Sequence, residues 1–322
     1  MKAVVQVGYG SPDVLHLREV EIPPLGNDKV LVRVHAASVN ALDWHVTRGM
    51  PYLIRALSGL RTPRDSIRGV DLGGRVEAVG KDVRGFQIGD EVFGGTDGSF
   101  AEFTVTTPNR LAPRPAGLTY GEAASLHVAG LTALQGLRDA ARLQSGQRVL
   151  INGAGGGVGT FAIQIAKWLG AHVTAVTRTE SIDLVRSVGA DEVIDHRTED
   201  FTRRGERYDV LFDIGGNRPF ADCRRALTEK GALVVVGAPA GRWIAPASRL
   251  IQAAVLSPVV SQRLVPMISK NDPAGLALLK DLAEAGKIRP VIDREYELSE
   301  TAEAVGYVGA GHARGKVVIH VQ

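Results

Sequence analysis

The sequence predicts a two-domain α/β protein, a small β domain followed by a doubly wound parallel sheet. Three observations predict it. In Val149-Leu150-Ile151-Asn152-Gly153-Ala154-Gly155-Gly156-Gly157-Val158-Gly159 an apolar strand enters a glycine cluster, and Thr160 to Lys167 continue with helical spacing. That strand, turn and helix start form the layout that holds a dinucleotide pyrophosphate. Behind it, strand and helix patterns alternate, as a parallel sheet requires. Ahead of it, residues 1–122 carry short β-type runs punctuated by glycine.

The elements follow in order. Residues 30–36 are rich in β-branched side chains and alternate partly. Residues 69–79 and 90–93 read as further strands, with turns at Gly80, Gly85 and Gly89. Many short strands of this kind predict a barrel-like domain. Residues 121–141 are alanine- and leucine-rich and read as helix. Strands are expected at 148–152, 172–178, 192–195, 208–214 and 232–236. Helices are expected to 169, at 181–187 and at 219–227. A helix over 273–285 and a strand over 289–292 are expected to close the parallel sheet. The tail 316–321 reads as a last strand that returns to the β domain. The expected division is therefore 1–122, completed by 293–322, against 123–292. The stretch 241–267 is longer than a bare connection and apolar (Ile244, Leu250, Ile251, Val255, Leu256, Val259, Val260). It reads first as a pair of core helices, with a dimer contact or a membrane-surface patch as alternatives.

Composition narrows the classes. Apolar residues are 44% of 322, enough to bury a full core. The 38 basic residues nearly balance 35 acidic ones, and they are scattered, so no nucleic-acid surface is indicated. A lone Cys223 excludes an intramolecular disulfide and a cysteine-based structural zinc site. The N-terminus enters strand-like alternation directly, without a signal-peptide layout. The apolar stretch 245–268 is broken by Pro246, Arg249, Pro258 and Pro266, so no membrane span is expected. A cytoplasmic protein is the expectation.

Within the glycine turn, Gly156 allows a pyrophosphate close to the backbone and Gly159 allows tight helix–strand packing. The helix N-terminus adds unpaired N–H groups. The following strand ends Val176-Thr177-Arg178-Thr179, without the acid that would bind a ribose 2′-hydroxyl. Arg178 can pair instead with a 2′-phosphate, so NADPH is the expected cofactor.

Other stretches carry a family resemblance: Ala37-Ser38-Val39-Asn40-Ala41-Leu42-Asp43; Gly69-Val70-Asp71-Leu72-Gly73-Gly74-Arg75-Val76-Glu77-Ala78-Val79-Gly80; Gly98-Ser99-Phe100-Ala101-Glu102-Phe103; and Val128-Ala129-Gly130-Leu131-Thr132-Ala133. In these motifs the chain resembles the medium-chain dehydrogenase/reductase superfamily, in its zinc-independent quinone oxidoreductase (zeta-crystallin-like) branch. Its ending, Gly311-His312-Ala313-Arg314-Gly315-Lys316, is similar to the subgroup near the reticulon-interacting mitochondrial and chloroplast-envelope oxidoreductases. The resemblance implies a GroES-like β domain and a Rossmann NADP-binding domain with the active site between them. It implies a homodimer. It also implies cofactor contacts at Asn40, Thr132, Gly156, Gly157, Val158, Gly159, Thr177, Arg178, Gly215, Gly237, His312, Ala313 and Arg314. His196 stands where many relatives have a tyrosine near the 2′-phosphate, and a plain surface histidine is the other reading.

Zinc-dependent members of the superfamily hold a catalytic zinc with Cys, His and Cys. The matching positions here are Asn40, Val70 and the neighbourhood of Val128. Neither valine can ligate zinc and asparagine is a poor ligand, so no metal is expected. His35, His45 and His127 are too isolated in sequence to replace the site. Acceptors that take hydride unaided then fit best: a quinone or an α,β-unsaturated carbonyl. The alternatives are a zinc-independent alcohol or aldehyde dehydrogenase and a non-catalytic NADPH-binding regulatory protein. The expected partner is a small-molecule acceptor. No proton donor is assigned. Asp43 and Tyr52 are weak candidates, Asp43 reading first as structural and Tyr52 equally as an aromatic packed beneath its loop. Trp44 and Trp243 read first as core, and otherwise as walls for a flat acceptor.

Overall fold

The computed structural model describes residues 1–50, 52–64, 66–237, 251–253, 255 and 260–322. It divides into two compact units, Met1–Leu131 with Lys270–Gln322, and Thr132–Ser269.

The first unit is built on antiparallel pairing. Strands β1 (Lys2–Gln6) and β2 (Leu15–Glu19) form a two-stranded sheet. The main sheet uses β3 (Val30–Val39), β4 (Asp71–Val79), β5 (Glu91–Gly95), β6 (Phe103–Thr106) and β7 (Leu111–Pro113). In β3, Val30, Val32 and Val34 are buried while Leu31, Arg33 and His35 stay half-buried, the period of a strand with one wetter face. From Ala36 to Val39 every residue is buried. Helix α1 (Ala41–Arg48) follows directly, then α2 (Leu53–Ser58). Helix α3 (Tyr120–Ala124) opens with a reciprocal cap, Thr119 Oγ1 accepting the Glu122 N–H and Glu122 accepting the Thr119 N–H.

The alanine-rich stretch expected as one helix is three pieces. Ser125 Oγ bonds back to the Gly121 carbonyl at the end of α3, and α4 (His127–Leu134) begins afresh. A π-helical turn, Gln135–Ala141, then ends at Arg142 with φ 57°. A Cβ on Gly136 would lie 2.3 Å from the Phe212 ring, so this turn is pressed onto the parallel sheet.

That sheet is the second unit. It contains β8 (Arg148–Asn152), β9 (His172–Thr177), β10 (Glu192–Asp195), β11 (Tyr208–Asp213), β12 (Leu227–Val235) and β13 (Arg263–Pro266), in the order β10-β9-β8-β11-β12-β13, all parallel. Helices α5 (Gly157–Trp168), α6 (Ile182–Ser187) and α7 (Phe220–Arg225) connect it. Leu150, Leu211, Tyr208, Phe220 and Leu233 share one buried core.

The closing elements correct the sequence reading. The sheet closes with β13, not with residues 289–292. The helix Pro273–Glu284 belongs to the first unit, where Glu284 accepts the Ala116 N–H and Leu279 packs on Gly130. Strand β14 (Ile292–Glu297) pairs in parallel with β15 (Lys316–His320), which pairs antiparallel with β3. The tail strand β15 therefore lies beside β3 within the first unit. The boundaries move from 122 and 292 to 131 and 269, because helical spacing shows which face a helix buries but not which sheet it covers. Of the apolar stretch 241–267, residues 241–250, 254 and 256–259 lie outside the described residues, Trp243 among them. Ile251 and Val255 are exposed, and Val260 packs on the core. No helix among the described residues is long and apolar enough to cross a membrane.

Candidate active site

In the second unit the sheet order reverses between β8 and β11, since β9 and β10 lie to one side and β12 and β13 to the other. Ligands of open α/β sheets bind beyond the carboxyl ends of strands at such a reversal. Of the expected contacts, Gly156 to Gly159, Thr177, Arg178, Gly215 and Gly237 lie at or just beyond the carboxyl ends of β8, β9, β11 and β12.

The turn from β8 into α5 is shaped by its glycines. Gly153 has φ 91°, in the left-handed region. A Cβ on Gly159 would lie 2.4 Å from the carbonyl oxygens of both Gly153 and Ala154. One on Gly155 would lie 2.6 Å from Thr177 Oγ1. Gly156 differs: its nearest neighbour would be the Gly153 oxygen at 3.9 Å. So Gly155 and Gly159 are small because protein packs against them, while Gly156 faces open space. Gly156 is also the N-cap of α5 and has no side chain to cap the first-turn N–H groups. An open, uncapped helix start suits an anion.

Thr177 ends β9 and is buried; Arg178 follows, half-buried. The His196 N–H donates to the Thr177 carbonyl at 3.0 Å, so Thr177, Arg178 and His196 form one group. Beside them Thr179 bonds Asp195, and Arg197 pairs with Glu180. Gly215 donates to the Asn152 carbonyl at 3.1 Å, and a Cβ on Gly237 would meet the Ile214 oxygen at 2.1 Å. Thr132 is buried at the start of this unit. Two polar residues escaped the sequence reading. Asn152 and Asp213 end the two strands flanking the reversal, and Asn152 Nδ2 donates to Asp213 Oδ1 at 2.8 Å. Asp213 also receives the Gly216 N–H. Their position at strand ends is the signal that could have found them.

In the first unit the candidates fall into three groups. Asn40 and Asp43 sit where β3 turns into α1. Asp43 Oδ2 accepts the Asn40 N–H at 2.7 Å, which caps the helix. Burial pushes the Asp43 carboxyl up to about 7; the nearby Asp71 charge adds to the rise and the Asn40 bond opposes it. The Asn40 amide points into a buried network. Its Oδ1 accepts from Lys316 Nζ at 2.7 Å and its Nδ2 donates to Asp71 Oδ2 at 2.9 Å. Asp71 Oδ2 also receives Ser38 Oγ at 2.6 Å and Lys316 Nζ at 3.2 Å. Asp71 Oδ1 receives the Val128 N–H at 3.1 Å and lies 3.0 Å from His127 Nδ1. Burial alone would raise the Asp71 carboxyl, but the Lys316 ammonium and the bonds from His127 and Ser38 outweigh it and hold it well below the usual carboxylate range. Asp71, His127 and Lys316 are the residues that sequence reasoning missed here.

The second group is Tyr52, which precedes α2. The Arg55 guanidinium lies over its ring at 4.9 Å and over Tyr9 at 4.6 Å. The third is the tail. His312 is exposed and meets Tyr307 edge-on, Ala313 packs on the core, and the Arg314 N–H donates to Asp293. Trp44 is a packing residue: its ring lies against Gly309, and the Arg48 guanidinium lies over it at 5.0 Å.

The positions matching zinc ligands do not fit zinc. Val70 and Val128 offer hydrocarbon, and Asn40 turns its oxygen to an ammonium. His35 stacks on Tyr120 instead of joining His127.

Residues 26–116 match the alcohol dehydrogenase GroES-like domain, and residues 188–319 match a family described as zinc-binding dehydrogenase. The second match lies outside Asn40, Val70 and Val128. A 2-methylene-furan-3-one reductase from Solanum lycopersicum is 33% identical over 99% of this chain and 79% of its own. The mitochondrial NAD(P)H oxidoreductase RTN4IP1 from Mus musculus is 34% identical over 100% of this chain and 89% of its own. Among solved structures, the quinone oxidoreductase from Coxiella burnetii superposes with a TM-score of 0.89 at 31% identity, over 100% of this chain and 99% of that one.

Proposed function

Because the chain belongs to the quinone oxidoreductase branch of the medium-chain dehydrogenase/reductase superfamily, we propose that it is an NADPH-dependent, zinc-independent reductase of quinones or α,β-unsaturated carbonyls. The donor set carries this reading. Two valines and a lysine-bound asparagine stand where a catalytic zinc would need three ligands, so carbonyl polarisation by a metal is not available to it. Acceptors that are electrophilic without a Lewis acid remain. Bound NADPH supplies hydride chemistry.

The chain's own residues do the rest. The open N–H groups of Gly157, Val158 and Gly159 receive the pyrophosphate, and Gly156 lets it approach. Arg178, with Thr177 and His196 beside it, binds the 2′-phosphate as a charge-assisted pair. Asn152 and Asp213 hold the backbone at Gly215 and Gly216 in one conformation. The proton that follows hydride comes from solvent or from a side chain. Asp43 is an unsuitable donor, because its carboxylate is committed to capping α1. The names of two relatives, a reductase of a 2-methylene-furan-3-one and a quinone oxidoreductase, support this acceptor class.

The test is NADPH oxidation assayed with 1,4-quinones, 2-alkenals and simple aldehydes. Turnover with the first two classes is expected, unchanged by prior chelation. Turnover confined to aldehydes, or NADPH binding without turnover, overturns the reading. A homodimer is part of the same proposal, and light scattering on the purified chain checks it.

A further inference from the structure

One carboxylate in the first unit takes more hydrogen bonds than its fold position requires. Asp71 is fully buried at the start of β4. It collects Ser38 and Asn40 from β3 and its end, His127 and the Val128 N–H from the start of α4, and Lys316 from β15. These partners lie as far as 31, 57 and 245 residues away in sequence. The five donors occupy both carboxylate oxygens. Lys316 is itself 2% exposed and closes a triangle by bonding Asn40 Oδ1. A Cβ on Gly95 would lie 2.3 Å from the His127 ring, so the β5 backbone also presses on the cluster.

We propose that the Asp71–Lys316 pair is a positioning element for the reaction. It ties Asn40, Val70 and Val128, the three positions where metal-dependent relatives place zinc ligands, into one rigid frame by hydrogen bonds. The inference rests on the function proposed above. Val70 is held through its chain neighbour, Val128 through its N–H, and Asn40 through both ends of its amide. Neither charged group can leave alone without cost, because the other would stay buried without the opposite charge that faces it. Removing both leaves neutral groups and loosens the frame. The dinucleotide turn, in the second unit, makes none of these bonds.

The experiment compares the full-length parent with K316M, D71N and the K316M/D71N double variant. Each single variant is expected to melt below the parent, and the double variant to melt above the lower of the two singles. The folded double variant is expected to bind NADPH within twofold of the parent, by fluorescence titration, while kcat for a quinone falls at least tenfold. An active parent with an equally active double variant overturns the positioning role and leaves the proposed function standing. A parent that reduces no acceptor overturns both. Independent melting losses, with the double variant below either single, overturn the pairing.

Discussion

Substituting Gly156 and Gly159 separately should uncouple cofactor affinity from stability. The two glycines lie three residues apart in the same turn but meet different surroundings. At Gly159 a methyl group would sit 2.4 Å from two backbone carbonyl oxygens, neither of which can swing aside as a flexible side chain would. Overpacking of this kind costs about 1–3 kcal/mol. Alanine recovers about 1 kcal/mol over glycine inside a helix. Rigid backbone neighbours place the cost at the upper end, so G159A should lose about 2 kcal/mol. For a unit of this size that lowers the melting temperature by about 4–8 °C. At Gly156 the nearest atom to the same methyl is 3.9 Å away and the backbone is extended, at φ −89°. Alanine caps a helix less well than glycine, so G156A should lose well under about 1 kcal/mol. Its methyl instead fills the space over the α5 N–H groups. A charge-assisted hydrogen bond is worth about 1.5–3 kcal/mol, so losing one should weaken NADPH binding about 10–100-fold. Thermal melts without ligand and fluorescence titration with NADPH measure both effects. A G156A variant that binds NADPH like the parent, or a G159A variant that melts like it, refutes the reasoning.

Further outcomes follow from the same geometry. The double substitution T177D/R178S should shift preference from NADPH toward NADH by at least tenfold in kcat/KM; an unchanged ratio removes Arg178 from the 2′-phosphate site. The Asp43 carboxyl has its folded pKa raised to about 7, above that of the unfolded chain. Its contribution to stability is therefore fully present below about pH 4 and is lost as pH rises through 7. D43N keeps an acceptor for the Asn40 N–H, so relative to the parent it should gain stability between pH 5 and pH 8. The gain should be on the order of a few kcal/mol, and urea melts at the two pH values would expose a flat difference if Asp43 titrates normally. Y52F should leave quinone turnover within twofold of the parent, since Tyr52 is engaged by Arg55. A loss of turnover beyond tenfold would make its hydroxyl the proton donor.

How much was legible depended on how local each signal was. The β8–turn–α5 unit is written in consecutive residues, and its strand and helix bounds fall within a residue or so of expectation. The same holds for β9 and β10, short β-branched runs whose bounds lie close to 172–178 and 192–195. The helix Pro273–Glu284 was legible as a helix but not as part of the first unit. Its apolar face, with Leu276, Leu279 and Leu282 buried, would suit either sheet. Its partners are Gly130 and Ala116, and a contact that crosses half the chain leaves no periodic trace. The residues 289–292 misled for a related reason. A β-branched run was visible, but β14 begins only at Ile292 and pairs with β15, inside a unit whose other strands lie between Lys2 and Pro113.

The Asp71 network shows why the site was harder to read than the fold. Each member is ordinary in its own segment. Asp71 sits in a glycine-rich strand, Lys316 opens a valine strand, and His127 starts a helix. Sequence spacing is a test framed for a metal, which needs several donors on one ion. It does not apply to a buried carboxylate, which accepts bonds from backbone N–H, amide, hydroxyl and ammonium alike. A search for ligand-type residues therefore passes over such a center. The constraint appears only when charge is counted in three dimensions. A lysine 2% exposed beside an aspartate with no exposure is tolerable only as a pair. The valines that cannot hold zinc and the ion pair beside them thus belong together. The valines offer a metal no donor atom, and the ion pair holds the Asn40 amide and the Val128 N–H.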